Sequence, residues 1–340
     1  MKRETRILWS LLLLSPALGE LLSGSCPPLM FFNPLTLLAL ILFYGGGTVL
    51  IREARVRWRL QWPVLFLAVA YAIWEEGGTV QSFFNPNHPA LGALSGYGLY
   101  GGIQWPWAIG MVFYHATMST LVPIAIVDLL WPEFHDVPLL RRRGIVLTIL
   151  GVLLARMAFV GFMRSQEALR PHPYQPDPVL VIGSVVIVGL LVYLARRLRR
   201  SVVVTSEAPL APPLGFAIIG FVSQGANLLV PMGMAASRLP AAATVSVQLV
   251  GMAAALAFVF GEVLHRDRAT RHAMALVIGS MSFYIAATPL HEFGPAAASQ
   301  RGMAAVGLLS AVLLVAWRNK VVRASVDVPQ SSPVESRGLP

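Results

Sequence analysis

Apolar residues in this chain run in long, nearly unbroken stretches and do not alternate with polar ones. From Met30 to Ile51 the sequence MFFNPLTLLALILFYGGGTVLI carries no charge. A helix of that length rises ~1.5 Å per residue and crosses a ~30 Å hydrocarbon core. Similar runs fall at about 7–24, 30–51, 63–80, 106–130, 144–163, 178–195, 214–236, 241–264, 273–290 and 303–317. They predict about ten transmembrane helices. The short alternating segments of a membrane β-barrel are missing, so the expected class is all-α, a polytopic integral membrane protein.

The breaks suggest a division of the chain. Residues 1–200 form a first membrane half with six spans, and 201–213, polar and proline-containing, read as a cytoplasmic hinge. Residues 214–318 form a second half of four spans rich in Ala, Gly, Val and Ser. The segment 319–340 has few large apolar residues and reads as a disordered cytoplasmic tail.

Charge fixes the expected orientation. With the N-terminus in the cytoplasm, 21 of the 26 Lys and Arg fall in cytoplasmic segments and only Arg164, Arg170, Arg238 and Arg301 on the other side. That asymmetry follows the positive-inside rule and places both termini in the cytoplasm of a cell whose cytoplasmic membrane holds the protein. Arg156 lies inside a span.

Composition supports lipid as the main solvent: 56% of residues are hydrophobic and 12% charged, against about 25% charged in soluble domains. The net charge of +10 does not indicate nucleic acid, because the basic residues sit in short clusters between apolar runs. The single cysteine, Cys26, excludes an internal disulfide and a cysteine-based metal cluster. The first span resembles a signal peptide in its basic start and small-residue end. Glu20, an odd feature for a discarded segment, favours its retention.

Ionisable residues inside spans are functional hypotheses by default, because burying a charge at the bilayer centre costs about 2.5–3.5 kcal/mol on insertion scales. The first half holds Glu20, Glu75, Glu76, His115, Asp128 and Arg156, of which Asp128 comes out near the cytoplasmic interface. Counting ~1.5 Å per residue puts Glu20, Glu75, His115 and Arg156 at ~16–20 Å from the cytoplasmic side. Four helices thus bring ionisable groups to one depth, with one glutamate expected to pair with Arg156 and the other to face a polar cavity. Ser119 shares a helix face with His115. Gln224 and Asn227, near Pro231, are secondary cavity candidates. These residue types would suit a divalent cation, but no local spacing of the HExxH kind is present. No metal or other cofactor is assigned.

Gly77 and Gly78 follow the glutamates, and then comes an uncharged aromatic loop, QSFFNPNHPALGALSGYGLYGGIQWPW. Its aromatic residues suit the membrane interface. A lid packed over an outward-opening cavity is the sharper alternative.

Glu75 and Glu76 on one span and His115 on the next resemble the glutamate pair and histidine of the CAAX-protease and bacteriocin-processing family of intramembrane proteases. Gln81 or Val80 stands where that family carries an arginine. Phe113 lies two rather than four residues before His115, and no third motif follows. The shared part is under one-fifth of the chain, and membership is not assigned. The resemblance implies a hydrolytic role for the three residues.

The sequence therefore favours a small-molecule transporter or permease with a polar site of Glu, His and Arg, coupled to protons in one variant. An intramembrane hydrolase or lipid-modifying enzyme is the alternative, and a purely structural subunit the third reading. Expected partners are the lipid bilayer and a small-molecule or lipid substrate, with no nucleic acid. A homo-oligomer is left open.

Overall fold

The computed structural model describes residues 2–170, 173–199, 211–263, 269–294 and 300–326. Helices begin where the local chemistry directs. Asn33 accepts hydrogen bonds from the backbone N–H groups of Leu35 and Thr36 at 3.1 and 3.3 Å, with Pro34 at the first helical position. Asp177 likewise accepts from Val179 N at 2.8 Å ahead of Pro178. Both starts join a side-chain cap to a proline whose missing N–H costs nothing there.

The chain order is α1 (Arg3–Pro16), α2 (Pro28–Phe31), α3 (Pro34–Leu40), α4 (Gly46–Trp58), α5 (Val64–Glu75), α6 (Trp105–Tyr114) and α7 (Val122–Leu130). There follow α8 (Arg142–Ala168), α9 (Pro178–Arg197), α10 (Pro213–Ala236), α11 (Ala241–Val263), α12 (Ala269–Phe293) and α13 (Met303–Val326). Four π-helical turns interrupt or extend the first-half helices: Ala17–Leu21 after α1, Ile41–Gly45 between α3 and α4, Glu76–Val80 after α5, and His115–Leu121 between α6 and α7. A two-residue hairpin, β1 (Leu99–Tyr100) and β2 (Ile103–Gln104), is the one departure from all-α structure among the described residues.

Eight helical stretches are long and apolar enough to cross a membrane: 34–58, 105–130, 142–168, 178–197, 213–236, 241–260, 270–293 and 303–323. The first and third expected spans fall short of that standard for different reasons. α1 and its π turn carry Arg3, Glu4, Arg6 and Glu20. The twelve residues of α5 plus five π-helical ones are too few. α13 runs to Val326, past residue 319 where the tail was expected to begin. Residues 201–210 of the expected hinge and 327–340 of the tail lie outside the described residues.

Buried clusters hold the first half together and tie it to the second. Ile7, Leu11, Val49, Tyr71 and Ile124 pack α1, α4, α5 and α7. Leu18, Tyr114, Met118, Val277 and Tyr284 join the first half to α12. In the second half α10 and α12 approach at backbone contact. A Cβ on Gly279 would run into the Ala217 carbonyl, and one on Gly220 would lie 2.6 Å from the Leu276 carbonyl oxygen. Small residues at a crossing let membrane helices gain van der Waals packing that lipid cannot supply.

α4 continues beyond the expected span end at 51, so Arg52 is fully buried within the helix. Its guanidinium donates to the carbonyls of Phe134 (2.5 Å) and Val137 (3.1 Å) and lies 3.5 Å from Glu53. Arg55 meets Asp128 at 2.5 Å. This network ties the basic end of α4 to α7 and to the segment before α8.

Candidate functional site

The helices of the first half deliver their polar residues where their hydrogen-bond ladders are interrupted. A π turn inserts an extra residue, redirects the side chains around it and frees a carbonyl, and such turns are frequent at functional sites. Glu20, Tyr44, Glu76 and His115 each lie in a different π turn, and Glu75 is the last residue before one. After Glu75 the turn is loosened by Gly77 and Gly78. Thr79 Oγ1 bonds the Trp74 carbonyl at 3.1 Å. Gln81 then adopts a left-handed conformation (φ 62°), which stops the helix and turns Ser82 back toward Glu76.

At the centre lies His115, with a carboxylate near each ring nitrogen. Its Nε2 is 2.9 Å from Glu76 Oε1, and its Nδ1 is 3.1 Å from Glu75 Oε1. Nδ1 also lies 3.0 Å from Ser119 Oγ, one helical turn on. All are buried: Glu75 is 0%, Glu76 7%, His115 3% and Ser119 0% exposed. Ser82 donates to Glu76 Oε2, and Trp107 Nε1 donates to Ser82 Oγ at 3.0 Å. Glu76 therefore has partners on both oxygens. Glu75 differs: neither of its oxygens accepts a hydrogen bond.

A third carboxylate, Glu20, adjoins this pair. Tyr44 donates to Glu20 Oε1 at 2.5 Å, and its ring centroid is 6.0 Å from that of His115. Tyr114 packs edge-on against His115 at 4.9 Å and donates to the Gly19 carbonyl at 2.6 Å, fixing the π turn that carries Glu20. Ser15 and Thr48 both bond the Ser119 carbonyl, at 2.6 and 2.9 Å. These neutral donors set the backbone around His115 without adding charge.

The expected residues thus divide. Glu20, Glu75, Glu76, His115 and Ser119 come together. Arg156 stands near but makes a different partnership from the one expected. It donates to the Gly78 carbonyl at 2.9 Å and lies over the Trp74 ring at 5.9 Å. Among the described residues no carboxylate is within ion-pair distance of it. A carbonyl at the glycine break and an aromatic face partner the cation, while its Nε has no hydrogen-bond partner. Gln224 and Asn227 bond Thr117 Oγ1 and the Gly110 carbonyl, both at 3.0 Å, and clamp α10 to α6 and its π turn.

The expected outward opening is closed in this structure. Ser82, Phe83 and Phe84 are buried, and Phe83 and Phe84 pack with Trp107 and Ala108. Glu167 near the end of α8 accepts from Asn85 Nδ2 at 3.0 Å and holds this strap in place. The loop tip at Tyr100 is exposed. The inner part of the aromatic loop therefore covers the site, as a lid does.

Three contributors were not anticipated: Tyr44, Ser82 and Trp107. Tyr44 is one aromatic residue in an apolar run, and only the glycines after it, 45–47, hint at an interrupted helix. Ser82 lies in a loop whose return path no periodicity reveals, and Trp107 lies in the first turn of α6 that this path leads to.

An apolar groove of about 500 Å³ runs between α4, α5, α8 and α9, lined among others by Gly47, Tyr71, Trp74, Val152 and Val188. Tyr71 and Trp74 belong to the helical turn that ends in Glu75, so the groove and the carboxylate cluster share a wall.

Residues 10–326 match an uncharacterized membrane protein family, and the chain belongs to that family. No curated protein and no solved structure matches it.

Proposed function

From membership in this membrane protein family, we propose that the chain is an intramembrane acid–base enzyme acting on a membrane-dissolved substrate. The observation that carries this reading is His115 held between Glu75 and Glu76 in a buried site. Efficient general acid–base catalysis needs a base with a free lone pair and an acid oriented by a second group. Glu75 has free lone pairs, and Glu76, fixed by Ser82, orients the imidazole.

In a hydrolytic step Glu75 takes a proton from water as the water oxygen bonds to an electrophilic carbon or phosphorus. The bond to the leaving group breaks, and His115 supplies the leaving group's proton. The proton on Glu75 then returns to the imidazole, restoring the resting charges. The apolar groove behind Tyr71 and Trp74 supports a substrate that arrives through the bilayer, and the resemblance of the Glu-Glu and His pattern to intramembrane proteases agrees with this chemistry.

The transporter expected from the sequence is the second reading. Ionisable groups from four helices meet at one place, and an imidazole with a partner at each nitrogen can relay protons. Against it, the site is built wholly within the first half. Residues 214–318 contribute a clamp through Gln224 but no group of the cluster, whereas transporter sites lie where the two moving parts meet. Ten crossings, cytoplasmic termini and a cytoplasmic-membrane location belong to this proposal and rest on the arginine asymmetry.

The two readings separate in detergent, which abolishes compartments. Purified protein is incubated with extracted membrane lipids and hydrophobic peptides, and products are followed by mass spectrometry. A product that appears with wild type but not with Glu75→Gln supports the enzyme. No product in detergent, together with pH-driven solute uptake in proteoliposomes, supports the permease and overturns the enzyme.

A further inference from the structure

Three carboxylates and one imidazole meet in a site that water does not reach freely. Glu20, Glu75 and Glu76 bring up to three negative charges, and a protonated His115 offsets one. Arg156, the one such cation nearby inside a span among the described residues, is engaged with a backbone carbonyl and an aromatic ring. Charges in a low-dielectric interior require compensation by protons or by a counter-ion.

The donor geometry points to where a counter-ion belongs. One ligand-type atom from each of Glu75, Glu76 and His115 lies within 4.8 Å of the others. Glu75 adds an independent observation: it is fully buried between His115 Nδ1, 3.1 Å from its Oε1, and the Tyr44 side chain, and neither of its oxygens has a well-formed hydrogen bond. Buried polar atoms are nearly always satisfied, so a carboxylate with one ion-pair contact and no well-formed hydrogen bond calls for a further partner. Glu76 does not share the defect, since Ser82 and His115 serve its two oxygens.

We infer that Glu75, Glu76 and His115 bind a divalent transition-metal ion, with the Glu20–Tyr44 pair as neighbouring support. One imidazole and two carboxylates form a mixed nitrogen and oxygen set suited to zinc or a similar ion, and three protein ligands leave a position for water. Ser119 beside Nδ1, and Ser82 on Glu76, supply the outer hydrogen bonds that orient metal ligands. With the ion in place Glu75 and His115 would be its ligands, and activation of water would pass from Glu75 to the ion; the inference keeps the reading that the site is chemical and rests on it. It can nevertheless fail separately from it.

The test uses the full-length protein purified in detergent without chelator, with metal content measured by mass spectrometry. It is followed by titration of metal-free protein with zinc chloride alone, and the cobalt-substituted form reports nitrogen and oxygen ligation by its absorption spectrum. The expected result is one ion per chain, with affinity falling at least tenfold in Glu75→Gln and in His115→Ala. Gln224→Ala, whose amide lies outside the cluster, should keep wild-type affinity. Helical circular dichroism and a single gel-filtration peak establish that each variant is folded. Because Glu75→Gln preserves shape, it remains informative where His115→Ala does not fold.

Absence of stoichiometric binding overturns the inference, as does binding unchanged in folded Glu75→Gln. Turnover that needs Glu75 and His115 in protein free of metal removes the ion but leaves the acid–base reading intact. Stoichiometric binding by these residues in a protein that turns over no membrane-dissolved substrate upholds the ion and removes the enzyme.

Discussion

Glu75 Oε1 lies 3.1 Å from His115 Nδ1, yet neither oxygen of this fully buried carboxylate accepts a hydrogen bond. Glu76, the adjacent residue, lies 2.9 Å from the other ring nitrogen and is held by Ser82. Neighbouring positions on a helix point about 100° apart, and here a π turn begins between them. One glutamate is thereby fixed and the other left available for chemistry.

Removing the imidazole should abolish most of the activity. General acid–base groups contribute roughly 10²–10⁴-fold, so His115→Ala and Glu75→Gln should each reduce turnover by about 100-fold or more, with helical content unchanged. Glu76→Gln should lose activity too, because an amide orients the imidazole less strongly than a carboxylate. Initial rates on whichever product the detergent assay reveals provide the check.

Gly19 permits Ser119 to approach His115. A Cβ on Gly19 would lie 2.5 Å from Ser119 Oγ and 3.2 Å from its Cβ. The hydroxyl can rotate away, so Gly19→Ala should leave thermal stability nearly unchanged while withdrawing Ser119 from Nδ1. The expected outcome is a several-fold loss of turnover with an unfolding temperature close to wild type. A large fall in that temperature would show that backbone spacing, not the hydroxyl, sets the contact.

Arg52 contributes to stability and not to the site. Its substitution by Met removes the donor to the Phe134 and Val137 carbonyls and weakens the tie between α4 and the 134–137 segment, while Glu53 keeps Arg57 and the Leu139 N–H. Leaving buried carbonyls without their donor costs about 1–3 kcal/mol. Arg52→Met should therefore lower the unfolding temperature in detergent markedly, whereas any surviving folded protein should keep wild-type specific activity.

The α10–α12 crossing should be equally intolerant of bulk. Gly279→Leu drives a side chain into the Ala217 carbonyl, and overpacking of this kind costs about 1–3 kcal/mol. Cysteine pairs placed across the crossing should crosslink less efficiently in this variant than in its parent, and unfolding should begin at lower temperature.

The helical membrane character was legible because lipid requires long apolar runs, and Met30–Ile51 is unmistakable. The meeting of Glu20, Glu75, Glu76 and His115 was legible from depth alone, since a helix rises by a constant amount per residue. Arg156 shows where that reasoning stops. Depth brought it to the right level, but its partner is a carbonyl released at Gly78, and side-chain chemistry does not announce a backbone acceptor. Arg52 lies just past the predicted end of the 30–51 span, because charge normally marks a span end. Its burial depends on carbonyls from residues 134 and 137, more than 80 positions away. Tyr44 was hidden for the opposite reason, because a tyrosine in an apolar run is usually packing.

The central claim is that Glu75 and His115 perform chemistry on a molecule dissolved in the membrane. The most direct measurement compares the lipid and hydrophobic-peptide content of membranes from cells producing wild type or Glu75→Gln at equal levels. The account predicts at least one species that accumulates in the variant and a product that disappears with it. Identical membrane contents, with the wild-type protein folded and present, would contradict it.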